Sequence, residues 1–220
     1  MEFIRTPSSD ILSDYHIAGR GKINTESVYF GTLEDKPLKL IHFSITTNTG
    51  EFQRTHKYIG IEFQTIKENL TFQLYDKWNY LSPSKRGHKL ESDDFHEIFS
   101  VYATDAKIPF YQLDPDTMWD LMQLRKEYRF SINMETKGHK VFIYTSRVPY
   151  NALFRGALSF REILSGKAAS YKLNLYEQKI SEFVKKLHRV FEVLDLKSVK
   201  NIGPLDTFLS DRFALERKQK

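Results

Sequence analysis

Hydrophobic and polar residues alternate one by one in three segments of the first third of the chain, and a shorter strand-like segment precedes them at residues 28–33. A period of two is typical of a β-strand that buries one face and exposes the other. The polar residues 67–69 form a connection of the length that suits a hairpin. The pattern predicts an antiparallel meander packed on one side only. The positions predicted to face its core are Ile41, Phe43, Ile45, Ile59, Ile61, Phe63, Leu70, Phe72 and Leu74.

Residues 90–128 predict a short helix, a strand, a bend, a second strand and a second helix. Ser92 can cap the first helix, because its hydroxyl can accept a hydrogen bond from an unpaired backbone N–H of the first turn. Asp114 and Pro115 mark the start of the second helix, where the missing N–H of proline costs nothing. The apolar positions predicted to be buried on these helices are Phe95, Ile98, Phe99, Met118, Leu121, Met122 and Leu124.

Alternation returns over residues 130–144, where Lys137 and Gly138 supply a turn and the second strand is apolar on both faces. A strand of this kind is expected in the centre of a sheet or under a cover. Ser159 and Glu162 then form a capping box, which predicts one more short helix.

The longest periodic segment, residues 171–196, spaces its apolar side chains by three and four residues and carries most of its lysines on other faces. This spacing predicts a long amphipathic helix that packs on the protein's own sheet. Contact with a membrane surface or a partner is the alternative, since basic amphipathic helices also bind there.

Together these elements predict an α+β protein: an antiparallel β meander followed by a helix–strand–helix–hairpin unit and a long C-terminal amphipathic helix. The second unit is expected either to pack beside the meander or to continue its sheet. Residues 79–88, which contain Pro83 and Gly87, are the expected linker. The predicted divisions are a flexible leader over 1–14, the meander over 15–80, the α+β unit over 88–196 and a basic tail over 197–220.

The chain has no cysteine among its 220 residues, which excludes disulfides, thiol nucleophiles and cysteine metal sites. Seventeen Phe and twelve Tyr indicate that burial of aromatic rings supplies much of the stability. No apolar run is long enough to span a bilayer, and the N-terminal region lacks the apolar core of a signal peptide. We therefore expect a soluble cytoplasmic protein, with a position peripheral to the inner membrane as the alternative.

The net charge of +5 is concentrated near the C-terminal end, where residues 197–220 carry six lysines and arginines against three carboxylates. A solvated end explains this most simply, and attraction to phosphate or an anionic lipid surface is the alternative. The residues predicted to make such an anion or membrane contact are Lys185, Lys186, Arg189, Lys197, Lys200, Arg217 and Lys218.

One cluster has residue types that suit zinc or another divalent ion, but its spacing matches no closed ligand set. A solvated helix start accounts for its carboxylates, because the first turn of a helix favours negative charge. No metal and no cofactor are expected. The weak metal candidates are His88, Glu91 and His96, among the neighbouring Asp93, Asp94 and Glu97.

His42 and His56 are the best candidates for an acid–base pair, since neighbouring strands could bring them together, although exposed polar-face histidines are the simpler prediction. No nucleophile elbow accompanies them. Residues 52–58 interleave aromatic and basic side chains, as a platform for single-stranded nucleic acid would, but without an established nucleic-acid-binding signature. A metal-dependent or hydrolytic enzyme and a nucleic-acid-binding protein are therefore the less favoured alternatives.

The segment from residue 90 onward also resembles an uncharacterised bacterial family catalogued as domain of unknown function 3137. The resemblance is strongest over residues 88–145, continues loosely to Leu196 and is weak before Asn79. The positions that carry it are Leu90, Glu91, Ser92, Phe95, Phe99, Val101, Tyr102, Asp105, Tyr111, Leu113, Pro115 and Met118.

The resemblance implies a membrane association, because many relatives carry spanning segments ahead of this domain, and it implies no catalytic residues. The chain departs from the family pattern where Pro109 and Phe110 replace an Ala-Arg pair before Tyr111, which favours a packing role for this bend. Most matching positions are apolar or capping residues, which is typical of a fold signature. The sequence thus favours a non-enzymatic interaction module, cytoplasmic and near a membrane, whose partner is a protein or an anionic membrane surface.

Overall fold

The computed structural model describes residues 4–5, 11–13, 15–17, 21–33, 36–49, 52–65, 71–77, 87–105, 107–146 and 178–194. Within these residues the chain forms one antiparallel sheet and a layer of helices. The strands are β1 (Ile4–Arg5), β2 (Lys22–Leu33), β3 (Lys36–Thr49), β4 (Phe52–Gln64), β5 (Phe72–Asp76), β6 (Phe99–Ala103), β7 (Asn133–Lys137) and β8 (Lys140–Ser146). The helices are α1 (Asp93–Ile98), α2 (Lys107–Gln112), α3 (Pro115–Tyr128) and α4, residues 178–194.

The strands follow the order β1-β2-β3-β4-β8-β7-β5-β6 across the sheet. The predicted α+β class is therefore confirmed. Of the two arrangements that the sequence left open, the sheet continues through both predicted units. The junction is the pairing of β4 with β8, which runs from Tyr58 opposite Ser146 to Gln64 opposite Lys140.

The predicted hairpin between β4 and β5 is wrong. β4 pairs with β3 and β8, whereas β5 pairs with β6 and β7, so two strands lie between them. The β7–β8 hairpin turns at Gly138, whose positive φ of 58° is the kind that glycine tolerates. Residues 141–145 of β8 are all buried. A strand apolar on both sides is stabilised where both faces of the sheet are covered, which explains why this hairpin occupies the centre.

The prediction that the sheet packs on one side only is also wrong. The register places His42 opposite Ile59 and Ile41 opposite Gly60, so the apolar residues of β3 and β4 point to opposite faces. Both faces therefore need a cover. The helical face includes Leu40, Ile59, Ile61, Phe63, Leu74, Met134 and Ile143, which form one core with the helices. The aromatic face includes Ile41, Phe43, Ile45, Tyr58, Tyr75, Phe142 and Tyr144.

The two capped helices are confirmed. Ser92 Oγ accepts a hydrogen bond from the backbone N–H of Phe95 at 3.2 Å at the start of α1. Asp114 Oδ1 accepts one from the N–H of Thr117 at 2.7 Å at the start of α3, and Pro115 follows in the first turn. Each cap satisfies a backbone N–H of the first helical turn, which otherwise has no partner within the helix.

The second strand predicted between these helices is wrong, because residues 107–112 form helix α2. Asp105 begins it: its carboxylate accepts a hydrogen bond from the N–H of Lys107 at 2.9 Å, and its carbonyl accepts one from Ile108. Pro109 lies in the first turn, where a helix needs no N–H donor. The alternation of apolar residues in this stretch favours a strand, whereas the Asp105 hydrogen bonds and the position of Pro109 favour the helix that forms.

Helix α4 is the described part of the long helix predicted over residues 171–196. Its apolar side joins the core of the helical face, where Phe191 stacks on Phe63 with ring centroids 4.8 Å apart. Phe183 contacts Phe130 in the same core. The short helix predicted at Ser159 and the basic tail lie outside the described residues.

The aromatic face is covered by an N-terminal segment, residues 11–13 and 15–17. Leu12, Tyr15 and Ile17 of this segment are buried in the same core as Phe142. Residues 4–5 of the predicted leader form β1, which pairs with β2.

Gly60 shows how closely β4 and β8 pack. A Cβ atom at this position would lie 2.6 Å from Phe142 Cε2 and 2.8 Å from Tyr144 Cβ. We therefore expect Gly60→Ala to lower the free energy of unfolding by about 1–3 kcal/mol, the usual cost of overpacking. Urea unfolding followed by circular dichroism measures this. Gly138→Asn is the matched control, because its surroundings are open and asparagine tolerates positive φ; equal effects of the two substitutions would contradict the argument.

Candidate functional site

The weak metal candidates lie in and just before α1, and both of their histidines contact the backbone. The ring Nε2 of His88 lies 3.0 Å from the carbonyl oxygen of Ala103, and its backbone N–H donates to Val101 at 2.7 Å. His96 Nε2 accepts a hydrogen bond from the N–H of Leu90 at 2.6 Å. Both histidines therefore hold residues 87–90 against the outer edge of β6.

Electrostatics also keep His96 in its neutral form. Partial burial and the nearby Lys77 ammonium lower the pKa of His96, and a neutral ring can accept the Leu90 hydrogen bond through its unprotonated nitrogen. Of the carboxylates in this cluster, Glu91 and Asp93 are exposed, and Asp93 Oδ1 lies 3.5 Å from Lys89 Nζ. In the part of the chain that the structure describes, no three His, Asp or Glu side chains are grouped closely enough to hold a metal ion.

The proposed pairing of His42 with His56 is wrong. His42 lies opposite Ile59 and His56 lies opposite Ile45, and strand alternation turns their side chains to opposite faces of the sheet. His42 is buried, not exposed, and burial together with Lys57 lowers its pKa to about 4. This histidine is therefore a neutral core residue at physiological pH.

In the aromatic and basic stretch on β4, the described aromatic side chain, that of Tyr58, is not exposed for stacking on a base. Tyr58 is buried and stacks on Phe43 at 5.2 Å between ring centroids. Arg54 and Lys57 are exposed, and Lys57 lies 3.4 Å from Glu26. The Tyr58 ring thus lies in the core, whereas the cations of this stretch lie at the surface.

A basic surface lies where the end of α3 meets α4. Lys186 Nζ lies 5.4 Å from the centroid of the Tyr128 ring, and Arg189 lies 3.6 Å from Glu127. These contacts place cations of two helices beside each other, with Glu127 as a partial counter-charge. The exposed members of the basic surface are Lys126, Arg129, Lys185, Lys186 and Arg189. The other predicted contact residues, Lys197, Lys200, Arg217 and Lys218, lie outside the described residues.

Two carboxylates on the aromatic face are buried, and their burial was not predicted from the sequence. Glu62 and Glu135 lie in register on either side of Phe142, and they are 3% and 1% exposed. Glu62 and Glu135 occupy polar positions of the two alternating patterns, residues 59–63 and 130–135, and such positions were predicted to face solvent. A signal was present, because the strand that became β8 was predicted to lie in the centre of a sheet or under a cover, and a cover over both of its faces also covers the strands beside it.

These carboxylates are held by donors from several elements. Glu135 Oε1 accepts hydrogen bonds from the hydroxyls of Tyr75 at 3.1 Å and Tyr144 at 3.2 Å, and Oε2 accepts one from the N–H of Ile17 at 3.3 Å. Burial raises the pKa of Glu135, and these hydrogen bonds oppose the rise. Glu62 accepts a hydrogen bond from the Tyr15 hydroxyl at 2.8 Å.

The positions that carried the family resemblance lie mainly in the core or at helix caps. Leu90, Phe95, Phe99, Val101, Leu113 and Met118 are buried in the core of the helical face. Ser92 and Asp105 cap α1 and α2, and Pro115 begins α3. Of the departures from the pattern, Pro109 lies in α2, while the side chain of Phe110 is outside the described residues.

Comparison with known proteins identifies a family to which the chain is similar. A family model described as "Protein of unknown function (DUF3137)" matches residues 45–196, and so begins in β3, well before the segment on which the resemblance was strongest. No curated protein and no solved structure matches the chain. A search of the described helices finds none with the length and apolarity needed to cross a membrane.

Proposed function

The chain belongs to the family described as proteins of unknown function (DUF3137), and we propose that it is a non-enzymatic interaction module that docks on an anionic membrane surface. The proposal rests on the basic surface at the junction of α3 and α4. It includes a location near the membrane on the cytoplasmic side, where anionic lipids are concentrated.

The orientation of α4 is the observation that carries this proposal. Ile180, Phe183 and Leu187 are buried against the sheet, so the apolar side of the helix is already occupied. Lys185, Lys186 and Arg189 are left exposed on the other side. An amphipathic helix packed in this way cannot insert its apolar side into lipid, and it therefore binds through charge.

The electrostatic attraction between the basic surface and an anionic membrane sets how tightly the module can bind. A lysine or arginine close to an anionic membrane contributes about 1 kcal/mol. The five cations of the basic surface, partly offset by Glu127 and by the exposed Glu182 on the same side of α4, thus supply on the order of a few kcal/mol. Binding of this strength is reversible and weakens as salt screens the charges.

The alternatives have less support from the geometry. An enzyme built on the cluster at α1 would need His88 and His96, whose rings contact the Ala103 carbonyl and the Leu90 N–H. A nucleic-acid platform on β4 would need Tyr58, which is buried. Neither alternative uses the basic surface of α4.

Co-sedimentation with vesicles tests the proposal. We expect the full chain to sediment with phosphatidylserine-containing vesicles at low salt and not with phosphatidylcholine vesicles. Replacing Lys185, Lys186 and Arg189 together by glutamine should weaken this binding about a hundredfold, because three favourable contacts are lost.

A charge-matched variant controls for the change in net charge. It replaces Lys22, Arg54 and Lys107, which are exposed elsewhere on the molecule, by glutamine. This variant should keep most of the binding. Equal sedimentation with both kinds of vesicle, or equal loss in the two variants, would contradict docking through the basic surface.

A further inference from the structure

The aromatic face and its cover have the features of a binding site with an internal ligand. The N-terminal segment places Leu12, Tyr15 and Ile17 on this face, where they are 1%, 3% and 1% exposed. The Tyr15 ring lies against Phe142 with centroids 5.0 Å apart. A few side chains of a short segment therefore complete the burial of a large aromatic surface.

The polar contacts of this segment resemble those of a bound peptide. Tyr15 donates its hydroxyl hydrogen to Glu62, and Ile17 donates its backbone N–H to Glu135. These two carboxylates belong to β4 and β7 and lie on either side of Phe142. The sheet thus offers the segment two buried carboxyl groups separated by an aromatic ring, of which Glu62 also pairs with Lys39, and the segment offers a hydroxyl and backbone amides in return.

Such a contact can open without unfolding the sheet. The strands are joined to each other by continuous ladders, such as the pairing of β3 with β4 from Leu38 to Thr49. The hydrogen bonds described between the segment and the sheet come from Tyr15, His16 and Ile17 and end on side chains, the carboxylates of Glu62 and Glu135. A region held by side-chain contacts opens at lower free energy than strands held by continuous backbone ladders.

We propose that the aromatic face is a binding site for a short peptide folded as a turn, and that residues 11–13 and 15–17, where the Tyr15 N–H donates to the Leu12 carbonyl, occupy it as a detachable internal ligand. The site selects an apolar residue, a tyrosine three positions later and an apolar residue two positions after that, in the pattern of Leu12, Tyr15 and Ile17. The Tyr hydroxyl is recognised by Glu62, and a backbone N–H is recognised by Glu135.

The pKa of Glu135 differs between the state with the segment bound and the state with it released. The fraction of molecules in which the segment covers the aromatic face therefore depends on pH. Burial raises the pKa of Glu135 while the segment is bound, and lifting the segment admits water, which returns the pKa towards its ordinary value. Binding of the segment to the aromatic face is therefore accompanied by uptake of a proton at Glu135. The stability of the closed state is fully present below the pKa of the open state, and it is lost as pH rises through the higher pKa of the closed state.

The groups that face Glu135 do not reverse the direction of this pH dependence. They are the Tyr75 hydroxyl of β5, the Tyr144 hydroxyl of β8 and the backbone N–H groups of His16 and Ile17. Burial, with the negative charge of Glu135, raises the pKa of Tyr144 well above its ordinary value, so its hydroxyl remains a neutral donor. We expect the segment to be released more often as pH rises.

A labelled synthetic peptide with the sequence of residues 9–18 tests the site, with fluorescence anisotropy as the readout. The wild-type chain should bind it weakly, because its own segment competes. The full-length variant Leu12→Ala/Tyr15→Phe, which changes only the segment, should bind it at least about tenfold more tightly. A peptide with phenylalanine in place of tyrosine should bind this variant less well. Absence of peptide binding by a variant whose sheet amides remain protected would overturn the proposal.

Hydrogen exchange on the wild-type chain tests the same proposal without any substitution in the segment. After correction for intrinsic rates, the amides of residues 11–17 should exchange faster than those of β3 and β4, and increasingly so as pH rises. Glu135→Gln should remove the pH dependence, because the amide still accepts from Ile17 and carries no charge. Exchange of the segment only together with β3 and β4 would overturn the proposal, as would a pH dependence unchanged in Glu135→Gln.

Discussion

Replacing Arg125 by alanine is expected to lower the free energy of unfolding by about 3–5 kcal/mol. Arg125 Nε lies 2.7 Å from Asp76 Oδ2, and the Asp76 side chain is completely buried, whereas that of Arg125 is 18% exposed. The substitution leaves a carboxylate in the core without this cation, and a buried charge that loses its partner is costly. Urea unfolding monitored by circular dichroism gives the free-energy difference.

The neighbouring Lys126 provides the control. Lys126→Ala removes a cation from the exposed side of the same helix and should change stability by about 0.5 kcal/mol or less. Asp76→Ala should cost less than Arg125→Ala, because the partly exposed guanidinium can regain water. An Arg125→Ala effect no larger than that of Lys126→Ala would show that the pair does not join α3 to β5.

The pair also illustrates what local sequence patterns can and cannot predict. The caps at Ser92 and Asp114 were predicted, because a cap depends on residues three positions apart. The partnership of Asp76 with Arg125 joins residues 49 positions apart, and no local period contains it. The same limit explains the strand order, since the position of β8 between β4 and β7 depends on which faces are finally covered.

The candidate sites divide along the same line. The exposed cations of α4 were predicted, because a helical period separates an apolar side from a basic side within one segment. Glu62 and Glu135 are buried but were predicted to be exposed. The alternation of polar and apolar residues does not show whether the polar face of a strand is covered by water or by a second layer of the protein. Tyr15 and Ile17, which cover them, had no periodic pattern that would have linked them to this face.

The two proposed sites lie on opposite sides of one sheet. The basic surface belongs to helices that pack on the helical face, whereas the N-terminal segment lies on the aromatic face. Docking on a membrane through α4 would therefore leave the aromatic face turned away from the lipid and open to a peptide. This arrangement suits a module that joins a partner to a surface, and each site can be disabled without touching the other.

Phe63→Ala is expected to lower the free energy of unfolding by about 3–5 kcal/mol and to loosen α4 from the sheet. Phe63 is 1% exposed, and its ring lies 4.8 Å from that of Phe191 and 5.5 Å from that of His188, measured between centroids. Urea unfolding measures the loss, and hydrogen exchange should show residues 178–194 exchanging faster while β3 keeps its protection. Phe30→Ala, at a position 37% exposed, should cost much less. If α4 kept its protection in Phe63→Ala, its basic side would not be oriented by packing on the sheet, and the argument for docking through that side would fail.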